Sequence, residues 1–263
     1  QDAGVGALIV EKPLAIEGED YRALAAFAAT TSLKVAINHQ LHFHPRRFEL
    51  QQRVQDGQIG DVLSVEASCG MNLAYQGTHS LQAIGAFLPG RRPVQVFGQV
   101  SGTSGLVDTP RKHFAPDSAQ AVISFDDQVQ AHLQSGETAP KVGREGIHTH
   151  KRVAVHGTRG YIHWTMWSWE IGIDGRIEAG QHEYPAEDIL GQARMSEAMF
   201  DWLEEDNSIH PLHLESALTD FNTVLGIYVS ALERRPVCLP VDPPDRLIDR
   251  LRHELSGGHS ASE

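Results

Sequence analysis

The sequence contains only two cysteines, Cys69 and Cys238, and they lie far apart in a chain of 263 residues. A chain of this length can bury a core large enough to fold without disulfide cross-links. So few cysteines are typical of proteins that work in a reducing compartment. We therefore expect a cytoplasmic protein.

Basic residues and long apolar runs are also scarce. The chain has 22 Lys and Arg against 34 Asp and Glu, which gives a formal net charge of -12. Nucleic acids and anionic membranes are bound by clustered Lys and Arg, and a helix that spans a bilayer needs about 20 consecutive apolar residues. The sequence therefore predicts no nucleic-acid and no membrane partner. An acidic small molecule stays possible, because local basic pairs such as Arg46-Arg47 could hold one.

The order of the predicted elements indicates an α/β fold. Apolar runs at residues 6–10 and 33–37 predict two buried strands, and the spacing between them predicts a helix over 17–30. Further strands are predicted at 62–67, 94–100, 120–125, 129–134, 152–156 and as a broken pair over 161–173; further helices at 48–55, 78–87, 186–204 and 214–233. This succession favours a large mixed or antiparallel sheet with helices on one face.

Several short motifs follow these elements in a fixed order. They are Glu11-Lys12-Pro13 after the first strand, Asn38-His39-Gln40-Leu41-His42-Phe43-His44-Pro45 after the second, Gly57-Gln58-Ile59-Gly60-Asp61-Val62, Gln76-Gly77-Thr78-His79, and Pro236-Val237-Cys238-Leu239-Pro240. Taken alone, Glu11-Lys12-Pro13 is more often a strand end followed by a turn proline. As an ordered set over residues 5–241, the motifs resemble the Gfo/Idh/MocA family of nicotinamide-dependent sugar and polyol oxidoreductases.

The resemblance implies two domains. Residues 1–40 would be the C-terminal remnant of a doubly wound dinucleotide-binding domain, and residues 41–263 a substrate-binding and oligomerisation domain built on the open sheet. It further implies NAD or NADP as cofactor, a sugar, inositol or related polyol as substrate, and a homodimer or homotetramer formed through that sheet.

The resemblance also implies the site residues. Lys12, His79 and Tyr75 would be catalytic; Glu11, Lys12, Pro13 and Asn38 would bind the cofactor; His42 and His79 would bind the substrate. It further implies a cis Lys12-Pro13 bond that aims the lysine at the cofactor. Independently, Thr78 can cap a helix that places His79 in its first turn, where the positive helix end favours a neutral imidazole. A neutral imidazole can take the proton from a hydroxyl during its oxidation.

Two features depart from the family pattern. The sequence has no Gly-x-Gly-x-x-Gly turn after a strand, which is the segment that cradles a pyrophosphate, and Tyr75 occupies the position where the family has an Asp. We therefore expect a chain truncated in its nucleotide domain that does not bind NAD(P) on its own. A non-catalytic substrate-binding or assembly subunit of the same family is the alternative.

The histidines after the second strand suggest a further possibility. In an extended segment His42 and His44 would share one face and could begin a metal site with a third ligand from His79, His148 or His150. A closed zinc site needs four ligands and a catalytic one needs three, so we expect no metal. The aromatic cluster of Tyr161, Trp164, Trp167 and Trp169 is expected to be core or interface, although such rings can also stack on sugars.

Overall fold

The computed structural model describes residues 4–107, 112–142 and 146–257. The strands are β1 (Ala7–Val10), β2 (Lys34–Ile37), β3 (Val62–Cys69), β4 (Pro93–Ser101), β5 (Ser118–Phe125), β6 (Gln130–Gly136), β7 (Lys151–Gly157), β8 (Gly160–Thr165), β9 (Ser168–Ile173), β10 (Arg176–Gln181) and β11 (Val237–Cys238). The helices are α1 (Gly18–Ala28), α2 (Pro45–Gln55), α3 (Thr78–Phe87), the short α4 (Ser104–Val107), α5 (Tyr184–Glu204), α6 (Leu214–Glu233) and α7 (Leu247–Gly257). None of the helices in these ranges is long and apolar enough to cross a membrane.

The first two strands form a small sheet of their own. β1 and β2 are parallel, with Val10 opposite Ile37, and α1 connects them. Apolar residues of α1 and of the start of α6 pack against Val35 and Ile37. Because the carboxyl ends of parallel strands lie at the same edge, Lys12 and Asn38 are brought to one side of this sheet.

The second sheet has nine strands in the order β10-β9-β8-β7-β3-β6-β5-β4-β11. β3 and β6 are parallel, and every other pair of adjacent strands in this sheet is antiparallel. α3 packs on β3 and β7, and α6 packs on β4. This is the mixed α/β architecture that the sequence predicts.

Alternation along the strands separates a covered face from an open one. Val65 and Ala67 of β3 are buried, whereas Glu66 between them pairs with Arg152 of β7 at 2.5 Å. The polar residues on the open face need no helix above them, because they can form ion pairs and bind water. Trp164 is 2% exposed, so the expectation that it belongs to the core is confirmed.

Several elements differ from the sequence prediction. α4, β10, β11 and α7 were not predicted, and residues Gln40–Phe43 form a 3₁₀ helix where an extended segment was expected. A helical turn rotates successive side chains by about 120°, so His42 and His44 do not share one face.

Candidate active site

A cleft of about 770 Å³ brings together residues from three separate segments. Lys12 follows β1, Tyr75 and His79 lie on the helical segment after β3, and all three line the cleft. Lys151, at the start of β7, lines it as well. The three residues predicted to be catalytic are therefore neighbours in the fold, although their roles stay a prediction.

The side chain of Lys12 is held by a hydrogen bond to the backbone of a second segment. The Lys12-Pro13 peptide bond is cis, as expected, and Nζ of Lys12 donates a hydrogen bond to the backbone carbonyl of Tyr75 at 2.5 Å. This bond joins the end of β1 to the helical segment that carries His79. The ammonium group is thus held at the wall of the cleft.

The helix that carries His79 starts earlier than predicted. A π-helical turn, Leu73–Gly77, runs directly into α3, and Oδ1 of Asn72 accepts a hydrogen bond from the Tyr75 amide at 3.0 Å. Thr78 is therefore not the N-cap, and the prediction that His79 lies at a free helix end is wrong. Without exposed amides beside it, the helix end cannot be the reason for a neutral ring.

Burial is what keeps His79 neutral. Desolvation holds its pKa well below the usual value, and the neighbouring His39, Lys151 and Lys12 lower it further. An imidazolium is poorly solvated in this environment and is repelled by two lysines. The expected protonation state of His79 is therefore retained for a different physical reason.

His39 was not predicted as a site residue, yet it contacts His79 directly. The two Nδ1 atoms are 3.1 Å apart, and the rings meet edge to face. Burial, Lys12 and Arg47 lower the pKa of His39 to about 3, so two neutral rings share one proton between these nitrogens. When His39 is the acceptor, His79 carries its proton on Nδ1 and keeps a lone pair on Nε2, as a general base requires.

Lys151 is the second cation of the cleft and was also not predicted. Its Nζ donates to the His148 carbonyl at 2.8 Å. Burial lowers the pKa of Lys151 to about 8, partly countered by Cys69, with a further lowering from Lys12. A lysine with such a pKa can donate or accept a proton near neutral pH.

Four predicted binding residues, Glu11, Pro13, Asn38 and His42, lie outside this set. Nδ2 of Asn38 donates a hydrogen bond to Oε1 of Glu11 at 2.6 Å. Both residues lie at the carboxyl edge of the small sheet, and neither lines the cleft. His42 lies in a different cavity, of about 440 Å³, where Gln82 Nε2 is 2.8 Å from its Nδ1. The prediction that His42 contacts the substrate together with His79 does not fit this placement, because the 3₁₀ helix turns His42 away.

Comparison with known proteins identifies the fold. No protein-family model matches the sequence, and no curated protein matches it. Among solved structures, an oxidoreductase from Agrobacterium radiobacter in complex with NAD+, L-tartaric acid and magnesium matches with a TM-score of 0.70 at 14% identity, covering 88% of this chain and 72% of that one. An inositol dehydrogenase homologue from Azotobacter vinelandii complexed with NADH and myo-inositol matches with a TM-score of 0.67 at 16% identity, covering 88% and 70%.

This chain has the fold of these oxidoreductases. The same fold also occurs in a protein with another task, the transcriptional regulator Gal80p from Kluyveromyces lactis, with a TM-score of 0.72 at 15% identity over 94% of this chain and 69% of that one. Fold alone therefore does not decide between an enzyme and a regulator.

Proposed function

We propose that the chain belongs to the Gfo/Idh/MocA family and forms the acid/base cleft of an NAD(P)-dependent oxidoreductase that acts on a hydroxyl of a sugar, inositol or related polyol. The observation that supports this most is the meeting of Lys12 and His79 in one cleft at the carboxyl edge of two parallel strands. Ligands of open α/β sheets bind at that edge. The Azotobacter vinelandii homologue, whose structure contains NADH and myo-inositol, is consistent with this substrate class.

The residues fit the reacting end of such a cofactor better than its phosphate end. The cleft offers two lysines and a neutral imidazole pair, which suit a hydroxyl that must lose a proton. Glu11, Pro13 and Asn38 lie beside Lys12 at the strand edge, where the nicotinamide would be held. The sequence itself offers no glycine turn for the pyrophosphate. The cofactor, when bound, supplies the acceptor for the hydride that leaves the carbinol carbon.

The chain's own residues account for the proton. His79 takes the hydroxyl proton on its free nitrogen while the C–O bond becomes a carbonyl. The Lys12 ammonium lies on the same wall and stabilises the negative charge that develops on the oxygen. His39 orients the His79 ring through the shared Nδ1 proton. Lys151 offers a second site to which a proton can pass.

A non-catalytic, substrate-binding protein is the second candidate. It is favoured by Tyr75, because a phenol does not provide the carboxylate that the family pattern places one turn before the histidine. The occurrence of this fold in the regulator Gal80p points the same way. Such a protein would bind the polyol in the same cleft and leave it unchanged.

Turnover and binding measurements separate the two. The chain is joined behind a dinucleotide-binding domain, and reduction of NAD+ and NADP+ is followed with a panel of inositols, sugars and polyols, while calorimetry measures polyol binding. The proposal predicts turnover with at least one compound. Tyr75→Phe should reduce kcat strongly if the phenol relays the proton, whereas Lys141→Met, at an exposed loop lysine, should have no effect. Binding without turnover on any compound would contradict the enzyme and support the second candidate.

A further inference from the structure

A cluster of two histidines and one glutamate lies outside the cleft. His44 precedes α2, His182 follows β10, and Glu187 lies in the first turn of α5. Their ligand atoms are all within 4.8 Å of one another. Oε2 of Glu187 is 3.2 Å from Nε2 of His44 and 3.3 Å from Nδ1 of His182. His44 and the His182–Glu187 segment, which are distant in sequence, thus place two nitrogens and one oxygen around a common centre.

The protonation pattern of His182 directs a nitrogen lone pair at this centre. Nε2 of His182 is 3.0 Å from the Thr165 carbonyl oxygen, which can only accept, so the ring proton lies on Nε2. In the neutral ring Nδ1 then carries a lone pair, and it faces a carboxylate oxygen that is also an acceptor. Neither Nδ1 of His182, Oε2 of Glu187 nor Nε2 of His44 has a hydrogen-bond partner.

Burial makes this arrangement costly unless a cation occupies the centre. The side chains of His44 and His182 are 1% and 3% exposed, and that of Glu187 is 28% exposed. Water cannot surround the two imidazoles, so their unpaired nitrogens lose solvation without compensation. A metal-bound histidine usually donates one ring N–H to a backbone carbonyl or carboxylate and binds the ion through its other nitrogen, which is the arrangement that His182 offers.

We propose that His44, His182 and Glu187 bind a divalent first-row transition-metal ion, with Zn²⁺ as the best fit. Zinc bonds to imidazole nitrogen and carboxylate oxygen are about 2.0 to 2.2 Å long, which places tetrahedral ligands about 3.3 Å apart. The two distances from Glu187 match that separation. Two imidazoles with one carboxylate do not suit Mg²⁺ or Ca²⁺, which prefer oxygen ligands.

Of the three ligands, Glu187 also lines an open groove. The groove is lined by polar residues that include Arg46, Glu49, Arg194 and Glu197, so a water molecule can complete a tetrahedral set. The ion would tie the start of α5 to the end of β10 and to the turn before α2. This role is independent of the proposed oxidoreductase function, because the three ligands do not line the cleft of Lys12 and His79.

Metal titration of the full chain tests the proposal. The purified protein is stripped with a chelator, then titrated with Zn²⁺ against a chromophoric competitor and, separately, with Co²⁺ while visible absorption is recorded. We expect one ion per chain, a tetrahedral Co²⁺ spectrum and a higher Tm with Zn²⁺. His182→Gln and Glu187→Gln should each weaken binding by at least about 100-fold, since even the loss of an outer-shell partner costs 10-fold to 100-fold.

The matched control is His163→Gln, which removes a half-buried histidine from β8 on the open face of the sheet and should leave binding unchanged. Circular dichroism of each metal-free variant checks that it folds, and Glu187→Gln, at the most exposed ligand, remains informative if His182→Gln does not fold. Absence of stoichiometric binding to the wild-type chain would overturn the proposal. Equal binding by wild type and both ligand variants would overturn it too, because the ion would then be held elsewhere.

Discussion

At the scale of single residues, the cleft is defined by cations placed against buried imidazoles. Lys12 and Lys151 both lower the pKa of His79, and Lys12 also lowers that of Lys151. Such mutual repulsion reduces stability, and active sites often retain it because it tunes proton affinity. The arrangement gives a neutral imidazole that can accept a proton and a lysine whose pKa of about 8 is close to neutral pH.

The lowered pKa of Lys151 predicts a pH dependence of stability. Below pH 8 the Lys151 amine is protonated in the folded and in the unfolded chain, and burying this charge lowers the free energy of unfolding. Between the folded value of about 8 and the ordinary value of 10.5, the unfolded chain binds more protons, so this residue makes the free energy of unfolding rise with pH. Lys151→Met should therefore be more stable than wild type at pH 7, and the difference should shrink toward pH 10.5.

Urea unfolding of wild type and variant across that range measures the effect. Lys141→Met, at an exposed position, is the control and should follow wild type at every pH. A constant stability difference between Lys151→Met and wild type over the whole window would show that the ammonium is not desolvated.

The sequence could predict some of these residues and not others. Lys12 and His79 stand in motifs with recognisable neighbours and spacing. His39 stands in the motif after β2 but was not singled out there, and Lys151 stands in no motif, because their positions beside His79 arise only when β2, β7 and α3 pack together. His182 and Glu187 were missed as partners of His44 for the same reason.

At the scale of elements, the packing of α6 on β4 depends on a close approach of backbones. A Cβ atom on Gly98 would lie 2.8 Å from both the carbonyl oxygen and Cγ2 of Ile227. The Gly98 amide also donates to Oγ of Ser230 at 2.9 Å. The helix can lie this low on the sheet only because the strand has no side chain at that point.

Gly98→Ala should therefore destabilise the fold by about 1 to 3 kcal/mol, the usual cost of overpacking. Gly85→Ala is the matched control, because Gly85 lies exposed in α3 and an added Cβ meets nothing within 4 Å. That change should stabilise the protein by about 0.5 to 1 kcal/mol through helix propensity. Urea unfolding of both variants gives the two free energies, and a Gly98→Ala variant as stable as wild type would contradict the described packing.

Alternating or 3.6-residue apolar patterns predicted most elements to within a few residues. β10 was missed because nearly all its residues are exposed at the edge of the sheet, so it shows no alternation. α7 follows a proline-rich segment and carries many charges, and its start depends on the distant Glu17, whose Oε2 accepts a hydrogen bond from the Leu247 amide at 2.7 Å. Patterns local in sequence do not contain such contacts.

At the scale of the whole molecule, a small parallel sheet adjoins a large mixed one, and the cleft lies where they meet. Leu8 and Ile9 of β1 are 43% and 42% exposed, so part of the small sheet is apolar and uncovered in this chain. The open face of the large sheet is polar, with Glu66 and Arg152 paired on it. Self-association through that face stays a prediction from the resemblance, and such an interface would rest on ion pairs more than on apolar burial.

The central claim is that Lys12 and His79 act on the same hydroxyl, and a double-mutant cycle of turnover tests it most directly. With a dinucleotide-binding domain joined to the chain, Lys12→Met and His79→Ala should each lower kcat by roughly 10² to 10⁴ with cofactor affinity nearly unchanged. The double variant should lose much less than the product of the two effects, because the residues serve one proton transfer. Wild-type turnover in the two single variants and the double variant, on every compound that the unmutated fusion protein oxidises, would contradict the claim.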